Sequence, residues 1–129
     1  MEPQEIFDTV AKHLFAQGKR SILNNGVSCA YRGADGLKCA VGALIADEEY
    51  TEEMDRNGGM DVYSLVHKFG EYLPEWFIEN SALLYNLQTA HDLRSNWGST
   101  MAMRGALRLV AESRGLSPDI INTLSFSDR

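Results

Sequence analysis

The sequence predicts a mainly α fold: a small helical domain with one short β-hairpin-like strand and turn segment around residues 27–38. Three observations predict it. Apolar residues recur at three- and four-residue spacing over most of the chain. Helix start and stop residues bracket those runs. A single stretch, 24–36, breaks the pattern with turn chemistry. The 129 residues suit one domain, and 44% hydrophobic content supports a packed core without disulfides or a structural metal.

The first helix opens at Pro3, whose missing N–H is tolerated in a first turn. Ile6, Phe7, Val10, Leu14 and Phe15 form its apolar stripe, and Gly18 is a natural stop. His13 falls off the stripe and is expected at the surface. Asn24-Asn25-Gly26 reads as a turn, Val27 to Arg32 as a short strand, and Gly33-Ala34-Asp35-Gly36 as a tight turn, since Gly and Asp tolerate positive φ. Leu37, Val41, Leu44 and Ile45 then sit at i, i+4, i+7 and i+8, which predicts a short helix beginning near Lys38 or Cys39. Gly42 inside it implies close packing of another element.

Gly58-Gly59 interrupts the chain again. Asp61 is a helix cap for Val62, Leu65, Val66 and Phe69, with Gly70 as the stop. Pro74 opens one long helix with Phe77, Leu83, Leu84 and Leu87, ending between His91 and Leu93. Ser99 caps a further helix carrying Met103, Ala106, Leu107 and Val110, closed by Gly115. Ser117-Pro118-Asp119 starts a last short helix with Ile120, Ile121 and Leu124. Residues 125–129 are expected to fray. No linker divides the chain, so residues 1–129 read as one domain.

Composition narrows the partners. The net charge of −6 and the scattered basic residues argue against nucleic acid, which favours a basic patch. No apolar run reaches the roughly 20 residues of a membrane helix, and the start of the chain lacks a basic leader, so a cytoplasmic setting is expected. The acidic run Asp47-Glu48-Glu49-Tyr50-Thr51-Glu52-Glu53-Met54-Asp55 is either a solvated face or a docking patch for a basic protein surface. The run Asp55 to Asp61 misplaces its glycine for a calcium loop. No Walker, dinucleotide, nucleophile-elbow or zincin motif occurs, so no cofactor is implied.

The chemistry-bearing candidates are few. Cys29 and Cys39 flank the turn. A reducing compartment disfavours a disulfide between them. Their nine-residue spacing is not a usual zinc pattern, even with His67 or His91 added. They can be small buried hydrophobes. Alternatively Cys39, in the first turn of a helix beside Lys38, would gain thiolate character from the macrodipole. His91 would then be its base and Asp92 the orienter, provided the helix ends there, because neighbours in a helix do not face each other. Arg32 and Lys38 beside the glycine turn are candidate anion ligands for a small nucleotide signal. Arg32 is also expected to pair with Asp47 or Asp92.

The stretch Cys29 to Tyr50, with Tyr31, Arg32, Gly36, Lys38, Cys39, Ala40, Gly42, Leu44, Ile45 and Asp47 in place, resembles a family of small uncharacterised proteins of bacteriophage and prophage genomes. That family shares a C-x-Y-R-x-x-x-G-x-K-C-A-x-G-x-L-I-x-D-x-x-Y core and a later L-Q-x-x-H-D, here Leu87 to Asp92. The resemblance implies a small accessory protein, made in a bacterial cell, that binds and modulates a host or phage protein. The candidate binding residues are Tyr31, Arg32, Lys38, Asp47, Glu48, Glu49, Tyr50, Glu52 and Glu53. The competing expectation is a thiol-dependent acyl-transfer or hydrolytic enzyme built on Cys39, His91 and Asp92.

Overall fold

The computed structural model describes residues 1–23, 29–56 and 60–127. Among the described residues, five α-helices carry the fold: α1 (Pro3–Gln17), α2 (Val62–Phe69), α3 (Glu75–Glu79), α4 (Ser81–Asp92) and α5 (Thr100–Ser113). The predicted turn at Asn24-Asn25-Gly26, the start of the strand at Val27 and the Gly58-Gly59 break lie outside the described residues. α4 is central: α1, α2, α3 and α5 all pack on it. The reason is its sequence. Leu83, Leu84, Leu87, Gln88, Ala90 and His91 are all buried, a wider face than one neighbour could cover.

The local signals at helix ends act as expected. α1 ends where Gly18 takes a left-handed conformation at φ 78°. Asp61 Oδ1 accepts the Ser64 N–H at 2.8 Å and opens α2. Ser99 Oγ accepts the Ala102 N–H at 3.0 Å and opens α5. Gly115, at φ 67°, lets the chain turn back, and the Leu116 N–H reaches the Ala111 carbonyl at 2.8 Å.

Tertiary demands change four expectations. The helix predicted from Lys38 or Cys39 is only a 3₁₀ turn, Gly42–Leu44. The Val41 N–H is taken by Gln88 Oε1 at 3.1 Å, and Ile45 leaves the turn in extended backbone. A Cβ at Gly42 would stand 2.0 Å from the Tyr31 carbonyl oxygen, so the glycine admits the hairpin backbone. The long helix after Pro74 is two helices, parted at Asn80, whose ψ of 23° breaks the α pattern. Its side-chain amide donates to the Trp76 carbonyl at 2.7 Å. The last short helix is 3₁₀, Asp119–Thr123, with Ile121 as its buried anchor. In the tail, Phe126 packs against Phe15 and Trp97, with ring centroids 4.9 and 5.6 Å away.

The hairpin keeps its turn but forms no sheet among the described residues. Arg32 pairs with Lys38 and Ile22 with Cys29 as isolated antiparallel bridges. Asp35 and Gly36 turn at φ 60° and 76°. His13, expected at the surface, is half-buried: its Nε2 lies 2.9 Å from the Lys38 carbonyl and donates to it. Burial lowers its pKa below the ordinary imidazole value.

Candidate functional site

The last turns of α4 meet the 20–23 segment and the hairpin, and buried polar groups gather there. His91 is fully buried. Its Nε2 accepts the Ser21 backbone N–H at 3.0 Å. A neutral imidazole has one lone pair, so that bond leaves the proton on Nδ1. Nδ1 donates to Asp92 Oδ1 at 2.8 Å. Neighbouring residues can meet this way because α4 ends at Asp92. Gln88 completes the set: its Nε2 donates to the same Asp92 oxygen at 2.8 Å, while its Oε1 holds the Val41 amide. The His91 carbonyl accepts from the Trp97 indole at 2.7 Å.

The cysteine beside this pair is Cys29. Its sulfur, a His91 ring nitrogen and an Asp92 oxygen all lie within 4.8 Å of one another. The Arg20 guanidinium is 3.9 Å from that sulfur and 3.3 Å from the Asp92 carbonyl. Partial burial, then the Asp92 charge and its hydrogen bond to the thiol, push Cys29 up to about 11. It is a thiol at neutral pH, hydrogen-bonded to a carboxylate. Cys39 is fully buried. The Gly42 N–H donates to its sulfur at 3.2 Å, but desolvation outweighs that contact and holds the thiol far above its usual range. The helix N-terminus expected to activate Cys39 does not form.

The arrangement constrains chemistry in two ways. The only lone pair of His91 is held by Ser21, so it is not free to take a proton from either thiol. Cys29, His91 and Asp92 have the donor types of a zinc site, yet a metal at Nδ1 would need the ring proton moved to Nε2. There it would oppose the Ser21 N–H, donor against donor. The set as arranged fits a hydrogen-bonded joint better than a metal centre. His67, the other histidine weighed for zinc, is exposed on α2.

A cavity of about 360 Å³ opens beside this joint, between the hairpin, the start of α2 and α4. Cys29, Tyr31, Asp61, Tyr85, Gln88 and Asp92 are among its walls. Its described walls hold two carboxylates and no lysine or arginine. The Tyr85 ring stands 5.2 Å from that of Tyr63, and both rings are substantially exposed. The Tyr31 hydroxyl donates to the Met60 carbonyl, and burial keeps that phenol protonated well above its ordinary range.

The other predicted binding residues sit elsewhere. Arg32 pairs with Asp47 at 2.8 Å, donates to the Ile45 carbonyl at 3.0 Å and lies 4.5 Å over the Tyr50 ring. Of the two acids proposed for it, Asp47 is the partner. Lys38 is gripped through its backbone: Gln17 accepts its N–H at 2.8 Å and donates to its carbonyl at 2.8 Å. Neither Arg32 nor Lys38 lines a described cavity. Glu49 accepts the Ala46 N–H at 3.0 Å, and Glu53 pairs with Arg56. Glu48 and Glu52 are exposed.

Asp55, the last acid of that run, is buried and was not singled out from sequence. It accepts the Tyr31 N–H at 2.7 Å, the Arg32 N–H at 3.1 Å and the Tyr50 hydroxyl at 2.5 Å. Its charge made it look like part of a solvated run. Comparison with protein-family models, curated proteins and solved structures finds no match to this chain.

Proposed function

We propose that this chain is a small accessory protein of the phage and prophage type, working in a bacterial cytoplasm, that binds and modulates a host or phage protein. It captures a basic side chain of that partner in the cavity beside α4. One observation carries the reading: Asp61 and Asp92 line that cavity, with the Tyr85 ring beside them and no cation among the described walls. Carboxylates attract a guanidinium or ammonium, and an aromatic face adds cation–π attraction. The net charge of −6 favours approach of a basic surface.

The thiol-dependent reading keeps one favourable feature, the cluster of Cys29 with His91 and Asp92. It is weakened by the engaged histidine lone pair and by two thiols held protonated. The nucleotide-signal reading is weakened because the Arg32 guanidinium is committed to Asp47, the Ile45 carbonyl and the Tyr50 ring, and neither Arg32 nor Lys38 lines a described cavity.

The test is binding of a short arginine–glycine peptide, with a glutamate–glycine peptide as control, followed by calorimetry at low salt. Asp61→Ser keeps a helix cap and removes the charge; Tyr85→Ala removes the ring. Each should weaken the basic peptide by about tenfold, on the order of one well-placed contact. If the double variant binds as the wild type does, the cavity is not the docking site.

A further inference from the structure

The two carboxylates of the cavity beside α4 come from different elements, and each is half engaged. Asp61 opens α2 and spends Oδ1 on the Ser64 N–H at 2.8 Å. Asp92 closes α4 and spends Oδ1 on His91 Nδ1 and Gln88 Nε2, each at 2.8 Å. Among the described residues its other side-chain partner is the Cys29 thiol, a weak donor. Both carboxylates act on the same wall. Burial raises the Tyr31 phenol first, and the charges of Asp61 and Asp92 add to it.

No described lysine or arginine forms an ion pair with either carboxylate. Arg20 stands on the Asp92 backbone carbonyl at 3.3 Å and on the Cys29 sulfur at 3.9 Å. His91 gives its lone pair to the Ser21 N–H, so it reaches Asp92 as a neutral donor. Asp92 is also the last residue of α4, where the negative end of the helix dipole disfavours an anion. A carboxylate set there among neutral partners gains from a cation brought in from outside the chain.

We infer that this cation is the guanidinium of an arginine residue, taken in preference to a lysine ammonium, and that it bridges Asp61 and Asp92 with its plane against the Tyr85 ring. The inference rests on the capture of a basic side chain proposed above and names which one. A guanidinium spreads five N–H donors over a rigid plane, so separate nitrogens serve carboxylates on two elements at once. An ammonium concentrates its three donors at one nitrogen. The guanidinium also sheds water more readily, which matters where Ala30, Met60 and Val62 supply apolar wall. Its flat face stacks on an aromatic ring, and Tyr85 lines the cavity with 40% of its surface exposed.

Calorimetry of the full chain at one fixed low salt concentration tests this, with arginine–glycine, lysine–glycine and citrulline–glycine peptides of equal length. The arginine peptide should bind at least about tenfold more tightly than the lysine peptide. The citrulline peptide, which keeps the shape without the charge, should not bind. Asp61→Asn keeps a helix cap and should bring the arginine preference below about threefold, because no second carboxylate remains to bridge. Tyr85→Leu should weaken the arginine peptide more than the lysine peptide. Equal binding of the arginine and lysine peptides by the wild type overturns the arginine inference and leaves the capture of a basic side chain standing. Binding of neither up to millimolar concentration overturns both. A full preference retained in Asp61→Asn overturns the bridge. The wild-type comparison needs no variant to fold, so it decides by itself.

Discussion

Replacing Asp55 by alanine should be among the most damaging single changes in the protein. Its carboxylate receives two backbone N–H groups, from Tyr31 and Arg32, and the Tyr50 hydroxyl. The Tyr31 amide belongs to a residue only 3% exposed, so water cannot replace the lost acceptor. Hydrogen bonds to a charged group contribute about 1.5–3 kcal/mol each. The two backbone bonds together therefore suggest about 3–6 kcal/mol. The Tyr50 hydroxyl is only partly buried and can turn to solvent, so it adds little. Removing the carboxylate also relieves its own desolvation, which pulls the figure toward the low end, about 3 kcal/mol. Against the usual 5–15 kcal/mol for a domain, that is a fifth or more of the total, as an order-of-magnitude comparison with about 10.

Urea unfolding followed by far-ultraviolet circular dichroism measures this directly. Asp55→Asn should fall between wild type and Asp55→Ala. It keeps an acceptor for Tyr31 but turns an amide N–H₂ toward the Arg32 N–H. Tyr50→Phe removes one donor and leaves the backbone bonds intact, so it should cost only about 1 kcal/mol. If Asp55→Ala is no more destabilising than Tyr50→Phe, the carboxylate does not clamp the hairpin and the reasoning fails.

Two further outcomes follow from burial and charge. Cys29, pushed up to about 11, should alkylate at neutral pH on the order of a hundred-fold slower than a free thiol; Asp92→Asn should speed it and move its pH–rate profile down, whereas wild-type labelling with an apparent pKa at or below the free-thiol range would revive the nucleophile reading. For His13, burial lowers the folded pKa from 6.5, so the unfolded chain takes the proton first as pH falls. Its contribution is complete above about pH 6.5 and is lost on acidification toward the folded value. Stability of the wild type minus that of His13→Gln should therefore decline below that pH, and a difference that stays flat or rises would show that burial does not lower the His13 pKa.

The sequence by itself determined the helices wherever a local signal stood at the right offset. Pro3 and Gly18 bracket α1, Asp61 opens α2, and Ser99 and Gly115 bracket α5. Each acts on backbone groups only a few residues away, so no knowledge of distant contacts is needed. The three- and four-residue spacing of apolar residues likewise predicted which faces are buried, and Gly42 correctly implied a close approach. Arg32 was legible as half of an ion pair with Asp47 or Asp92, and the structure selects Asp47.

Only the tertiary structure decided the rest, because it was settled by partners far apart in sequence. The apolar spacing of Leu37 to Ile45 promised a helix, but Gln88 takes the Val41 amide and the Tyr31 backbone crowds Gly42, so the segment closes into one 3₁₀ turn. With that helix went the reason to favour Cys39. The two cysteines looked alike on either side of the turn until the Ile22–Cys29 bridge set one beside Asp92 and the 39–44 turn buried the other. Asp55 sits in a run of acids whose other members face water, and no local feature marks it for burial. Ser21 likewise has nothing to announce that its amide will hold His91, and that one amide, reached across seventy residues, decides which nitrogen carries the proton.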